Sequence, residues 1–328
     1  MCADFLPATL GTRRSDQEGA TSLDVTITRL HMDGRAPLPS GQVRGYVEYD
    51  LNAGNDGSPD FKLRHAYGTW KNEYGTLTAG HTWSTAMDLK ILPEGLTEPT
   101  VSGVIFQRQA LLRWSQPLGK GYTIHAAIED PSSSDVFSTS SVNNQTSIPD
   151  GVLGLEYDRN GLWHLRLNGL ARNLKVDLPG GGNDSATGWG LALTGHINCF
   201  RKDKLCFSGI YGEGLGRYLL GIESTAGSLI DPEKNEISLR KNWGIMATYE
   251  HHWTDSLRST AMGGYAHSGT MSWQTGDTFE SSTYASVNLM WSVYRYITLG
   301  VEYAYGKRDN KDHSDIDNHR VAVGMQFY

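Results

Sequence analysis

The side chains with the greatest chemical reach in this chain are arginines that recur on one phase of alternating segments. They are Arg44, Arg64, Arg113, Arg166, Arg172 and Arg240, with Arg258 and Arg320 in the same phase. A guanidinium keeps its charge at any working pH and presents a planar fork to carboxylates. Several of them at one depth of a water-filled passage attract anions. Asp88, Glu94 and Glu98 fall in one long connection, 84–104, and are expected to face such arginines across a narrowing. The rival arrangement places the same arginines in structural salt bridges with Glu48, Glu129, Glu156 and Glu250, which share their phase. Spacing alone leaves both open.

Residues that would do covalent chemistry are present without a constellation. Gly212-Glu-Gly-Leu-Gly-Arg217 has the look of a nucleotide loop, but no helical periodicity follows it, and bends leading into a loop explain its glycines better. Serines, histidines and aspartates are not paired by motif with an oxyanion element. His251-His252-Trp253 reads as an interfacial group at a short turn, and His125 and His164 read as solvated wall residues. Cys2, Cys199 and Cys206 are too few for a disulfide scaffold. Cys199 and Cys206 flank a short turn, yet alternation puts them on opposite faces, which opposes a bond unless a bulge intervenes. No metal site, cofactor or enzymatic activity is expected.

The elements that must carry the arginines are strands. In Tyr296-Ile-Thr-Leu-Gly-Val-Glu-Tyr-Ala-Tyr305 the residues Ile297, Leu299, Val301, Tyr303 and Tyr305 share one face, while Thr298, Gly300, Glu302 and Ala304 share the other. Two-residue alternation means a strand with one apolar and one polar face. No run of about 20 apolar residues exists to form a membrane helix, but a membrane β-barrel alternates and looks hydrophilic on average. The net charge of −7 argues against a nucleic-acid partner.

Fifteen such segments follow the polar stretch 1–20, joined by short and long connections in strict alternation. Short turns on one side and longer loops on the other are the asymmetry of a bacterial barrel. With strand directions fixed by that parity, Trp114, Tyr122, Tyr157, Trp163, Tyr249, Trp291 and Phe327 fall at short-turn ends. Tyr49, Trp189, Tyr211, Tyr265, Tyr303 and Tyr305 fall at long-loop ends. Such sorting makes two aromatic girdles, one at each bilayer surface. The expected fold is therefore all-β: an antiparallel transmembrane β-barrel of sixteen-stranded architecture, with about fifteen strands in this chain. An even strand number and a descending first segment place the missing strand upstream of Met1 and make residues 1–20 part of the first external loop. No signal peptide is visible at Met1-Cys2-Ala-Asp4. Residues 21–328 are the barrel, narrowed by an inward-folded loop at 84–104.

Four stretches carry a family likeness: Arg64-His-Ala-Tyr-Gly68, Gly80-His-Thr-Trp-Ser-Thr85 running into Met87-Asp88, Arg108-Gln109, and Gly212-Glu-Gly-Leu-Gly-Arg-Tyr218. They resemble the DcaP-like trimeric porins, and the resemblance runs from about Thr21 to the C-terminus. It implies a homotrimer in the Gram-negative outer membrane, passing dicarboxylates and other small anions. It also implies lumen roles for Arg64 and Arg113 and a constriction role for Asp88. The chain departs from the family in lacking the signal peptide and the often coiled-coil segment before the barrel, and in having His81 where Gln is expected. The expectation is thus passive diffusion of small hydrophilic solutes, anions preferred, through an arginine-lined constriction. Two rivals stand beside it: an outer-membrane barrel enzyme of lipase or protease type with a rim site, and a soluble carbohydrate-binding β-protein suggested by the nine tryptophans.

Overall fold

Alternation over eight to seventeen residues at a time dictates long two-faced strands, and the computed structural model consists almost entirely of them. It describes residues 7–9, 21, 23–52, 60–96, 101–131, 136–137, 145, 148–178, 181–200, 202–222 and 227–327. The first strands are β1 (Arg29–Leu38), β2 (Gly41–Asp50), β3 (Lys62–Lys71), β4 (Thr76–Trp83), β5 (Arg108–Gly119) and β6 (Tyr122–Glu129). A two-residue β7 (Val136–Phe137) precedes β8 (Asp150–Asp158), β9 (Trp163–Asp177), β10 (Asn183–Cys199) and β11 (Asp203–Glu213). Short strands β12 (Ser228–Asp231) and β13 (Glu236–Leu239) come before β14 (Lys241–His252), β15 (Leu257–Ser268), β16 (Phe279–Tyr294), β17 (Ile297–Asn310) and β18 (Asp315–Phe327).

Fifteen of these strands form one antiparallel sheet in chain order, with β1 and β18 at its edges. The remaining three, β7, β12 and β13, make a separate small sheet on the long-loop side. The large sheet curls into a barrel wall around loop 84–106, whose contacts run from β6 and β9 across to β17 and β18. The apolar phase points outward: Leu299, Val301, Val321 and Val323 are 38%, 42%, 70% and 82% exposed, which places them on the lipid side of the wall. Aromatic neighbours mark both ends, with Tyr122 against Tyr157 at 4.6 Å and Tyr157 against Trp163 at 4.7 Å beside the short turns. Trp189 lies 5.8 Å from Tyr211 and Trp243 lies 5.0 Å from Tyr265 at the other end.

Two local features depart from plain strand alternation. The first strand is Arg29–Leu38, so Pro37 sits inside it. An edge strand tolerates a residue with no N–H to donate. The segment 236–250 is two strands, because Arg240 breaks it: Glu236–Leu239 pairs with β12, and the barrel strand begins at Lys241. Val136, Ile230 and Ile237 of the small sheet cover the apolar Leu174 and Val176 of β9. Cys199 and Cys206 are free thiols, lying across the hairpin from Asp203 and His196 respectively.

A cation at Val301 would face hydrocarbon near the middle of β17. Val301→Arg is expected to destabilise the folded protein by about 2–4 kcal/mol. Equilibrium unfolding from lipid vesicles checks this; a variant as stable as the parent would contradict the outward assignment.

Candidate functional site

Beyond β4 the chain turns into the barrel. Glu129 on β6 receives it, accepting hydrogen bonds from the Ser84 hydroxyl at 2.7 Å and the Thr85 N–H at 2.6 Å. Arg166 and Asn168 on β9 donate to the carbonyls of Thr85 and Ala86, at 2.5 and 3.1 Å. One oxygen of Asp88 accepts from the Lys90 N–H at 3.0 Å and caps the 3-10 turn Leu89–Ile91. The other accepts from His164 Nε2 at 2.8 Å and from the Thr194 hydroxyl at 2.5 Å. Burial works against charge on Asp88, but these hydrogen bonds, with Arg166 nearby, outweigh it and hold the carboxyl below its ordinary range.

Further along, Lys90 Nζ bridges Glu156 at 2.7 Å and Asp158 at 2.6 Å, and Arg258 forks onto Glu94. The Leu96 N–H reaches Glu302 at 2.9 Å, on the opposite wall. Several of these wall residues lie toward the short-turn ends of their strands, so the loop dips well into the barrel. Its return, 101–106, lies against the segment 214–222, which also folds inward. The Gly103 N–H donates to Leu220 and the Phe106 N–H to Tyr218, both at 3.0 Å. The approach to the wall is so close that a Cβ on Gly264 would sit 2.0 Å from the Ser102 carbonyl oxygen.

Inside the barrel these two segments bury an apolar layer that the alternation reading left as water. Met87, Ile105, Leu215 and Leu219 pack with the inward-facing Val152, Leu170, Ala192 and Ile210. Ile91, Val101 and Val104 pack with Met246 and Met262. The lumen is therefore offset toward β2–β6, where a cavity of about 650 Å³ lies between that wall and the loop. Five cationic side chains border it, Arg29, Arg44, Lys90, Arg113 and Arg166, against three carboxylates, Glu48, Asp88 and Glu156. Tyr46 and Tyr67 line it too, with the Arg44 guanidinium 4.8 Å above the first ring and 5.7 Å from the second.

The structure brings Arg44, Arg113 and Arg166 together at this cavity. Arg44 is engaged by Asp33, with both contacts at 2.9 Å, and Arg166 by Asn168 and the Thr85 carbonyl. Arg113 is half-buried, and its guanidinium has no hydrogen-bond or ion-pair partner among the described residues. The other three expected lumen arginines do not line the cavity. Arg64 is buried and paired with Asp50. Arg172 holds Asp150 at 3.1 Å beneath Tyr218, whose hydroxyl donates to the same carboxylate at 2.8 Å. Arg240 is 1% exposed and hydrogen-bonds the carbonyls of Ser268, Gly269 and Phe279.

The loop carboxylates also act differently from expectation. Asp88 borders the cavity, but His164 and Thr194 occupy its outward oxygen; Glu94 is committed to Arg258; Glu98 lies outside the described residues. Both are ties holding the loop to the wall. Sequence reasoning missed Lys90, Asp50, Asp150 and Tyr218. The last of these had a signal: Gly214, Gly216 and Gly221 have φ of +68°, +48° and +94°, the turns that fold their segment inward.

The profile of DcaP outer membrane proteins matches residues 11–325. The crystal structure of the outer membrane channel DcaP of Acinetobacter baumannii is similar at 22% identity and a TM-score of 0.78, covering 93% of this chain and 85% of that one. The anion-selective porin from Comamonas acidovorans is similar at 13% identity and a TM-score of 0.61, covering 91% and 88%. The trimer form of OmpT, an outer membrane protein of Vibrio cholerae, gives 11%, 0.61, 92% and 91%. No curated protein matches the chain.

Because Arg258 holds the loop by a charged fork, Arg258→Ala removes a tie of about 1.5–3 kcal/mol. The loop is expected to loosen, seen as faster proteolysis within 89–96 and noisier single-channel current. Unchanged cleavage and noise would mean that the remaining ties suffice.

Proposed function

Since the chain belongs to the family of DcaP outer membrane proteins, channels of the Gram-negative outer membrane rather than enzymes, we propose that it lets small hydrophilic solutes diffuse through the offset lumen and prefers anions such as dicarboxylates. Arg113 carries the reading. A guanidinium with open coordination, in a passage whose bordering charges are mostly positive, lowers the energy of a passing anion and raises that of a cation. Arg44 and Arg166 add to the field while their forks remain engaged. Loop 84–104 sets the width, since its segment from Ser84 to Lys90 forms one side of the cavity. The anion selectivity of the Comamonas acidovorans porin accords with this reading.

Residues 1–20 belong to the first external loop in the same reading. In its support, Pro7–Thr9 contacts β16 and β17 near their long-loop ends, and Arg308 donates to the Ala8 carbonyl at 2.8 Å. The assembly is a homotrimer, as in the trimer form of the Vibrio cholerae protein.

Reversal potentials in a KCl gradient test the selectivity. Arg113→Ala should lower the chloride-to-potassium permeability ratio by about two- to fivefold, and Arg113→Glu further. A ratio unchanged in both variants would remove Arg113 from the conduction path. Channel insertions in a planar bilayer should close in three correlated steps; single independent steps would argue for monomers.

A further inference from the structure

Where the inward loop meets the β8–β9 hairpin, three groups of metal-ligand type converge. Glu156 and Asp158 are two residues apart on β8 and so share its inward face. His164 lies directly across the ladder from Asp158. One donor atom from each of the three falls within 4.8 Å of the others. His164 is fully buried and divides its two nitrogens between two tasks. Nε2 is bound to Asp88, whereas Nδ1 has no hydrogen bond and faces Glu156 at 3.8 Å. A buried ring nitrogen left without a partner is costly unless something else occupies it. The positive charge between the carboxylates is the Lys90 ammonium, whose side chain is 43% exposed to the lumen. His125 Nε2, 3.2 Å from Glu156, the Arg166 guanidinium, 3.9 Å from it, and the His196 ring, stacked on His164 at 5.4 Å, also face the cluster.

We propose that Glu156, Asp158 and His164 Nδ1 form a binding site for a first-row divalent metal ion of the zinc or nickel type, which Lys90 fills with its ammonium when no metal is bound. Two carboxylates and one imidazole make a three-ligand set that leaves a position open to lumen water. The imidazole selects metals of that type over magnesium or calcium, which take oxygen ligands. The His164–Asp88 hydrogen bond supplies the carboxylate partner that orients a ligating imidazole. Lys90 also ties the loop to the wall, so metal entry and loop seating compete for the same carboxylates. Each weakens the other by an equal factor.

Isothermal titration of the purified full chain in detergent with zinc or nickel chloride, and with magnesium chloride as control, tests the site. One metal ion per chain should bind, and magnesium should not. His164→Gln keeps a donor for Asp88 but lacks Nδ1, so it should weaken binding by about ten- to a hundredfold. Lys90→Ala removes the competing ammonium and should tighten binding by about tenfold or more. Binding indifferent to both substitutions would assign the metal to another histidine and overturn the proposal. Absence of saturable binding in the parent and in Lys90→Ala would leave only an ion-paired latch, and would equally overturn it.

Discussion

Backbone carried into the interior of a barrel has to find hydrogen-bond partners there, because each buried group left unmade costs about 1–3 kcal/mol. That requirement governs how the inward polar side chains of this molecule are used. Loop 84–106 and segment 214–222 bring N–H and carbonyl groups under the wall. Glu129, Arg166, Asn168, Arg172, Lys204, Ser208, Asn242, Asn288, Glu302 and Gln326 are among the wall groups that meet them. A side chain committed to this task is fixed in geometry and is no longer free to close on a passing solute. Arg113 lies on the β2–β6 side, where the cavity opens, and carries no such tie among the described residues.

The apolar layer beneath the loops follows from the same crossing. Polar ties fix position, but the stretch between them must exclude water to be rigid, and inward-facing Val152, Leu170, Ala192 and Ile210 supply the surface for it. β9 shows the transition within one strand. Its inward phase runs His164, Arg166 and Asn168 near the short turn, where the loop's carboxylate and carbonyls need partners. It then turns to Leu170, Leu174 and Val176, where the inward segments and the small sheet cover it. Arg172 interrupts that apolar run only because Asp150 and the carbonyls of Gly214 and Leu215 surround its guanidinium. Buried without them, it would cost several kcal/mol.

Alternation made the architecture legible, since period and parity are local properties that survive any arrangement of the loops. It fixed the outward set at Leu299, Val301, Val321 and Val323, and the inward phase of Arg44, Arg113 and Arg166. Height and partner were not legible, because both depend on where a distant loop crosses. Arg64 and Arg172 have the phase of Arg113 but end against Asp50 and Asp150, at the long-loop ends of their neighbours. The rival salt-bridge arrangement was therefore correct in kind for those two and wrong in its partners. Arg240 misled for another reason: an alternation of Ile237, Leu239, Trp243 and Ile245 that runs straight past it concealed the break between two sheets. Inward apolar residues on β9 were the readable sign that the middle of the barrel is not all water.

The Glu156–Asp158–His164 cluster shows why ligand spacing in sequence is a weak guide inside a barrel. Two-residue spacing on a strand and a cross-strand partner reached through a short turn bring three donors together with no histidine pair or cysteine motif. The fourth participant, Lys90, arrives from a loop more than sixty residues earlier in the chain. A site whose occupant belongs to the loop that bounds the lumen couples two properties that sequence treats as separate, the charge at the wall and the position of the loop. Moving that ammonium changes both together. This follows from placing the loop's anchor among the carboxylates of the wall instead of behind it.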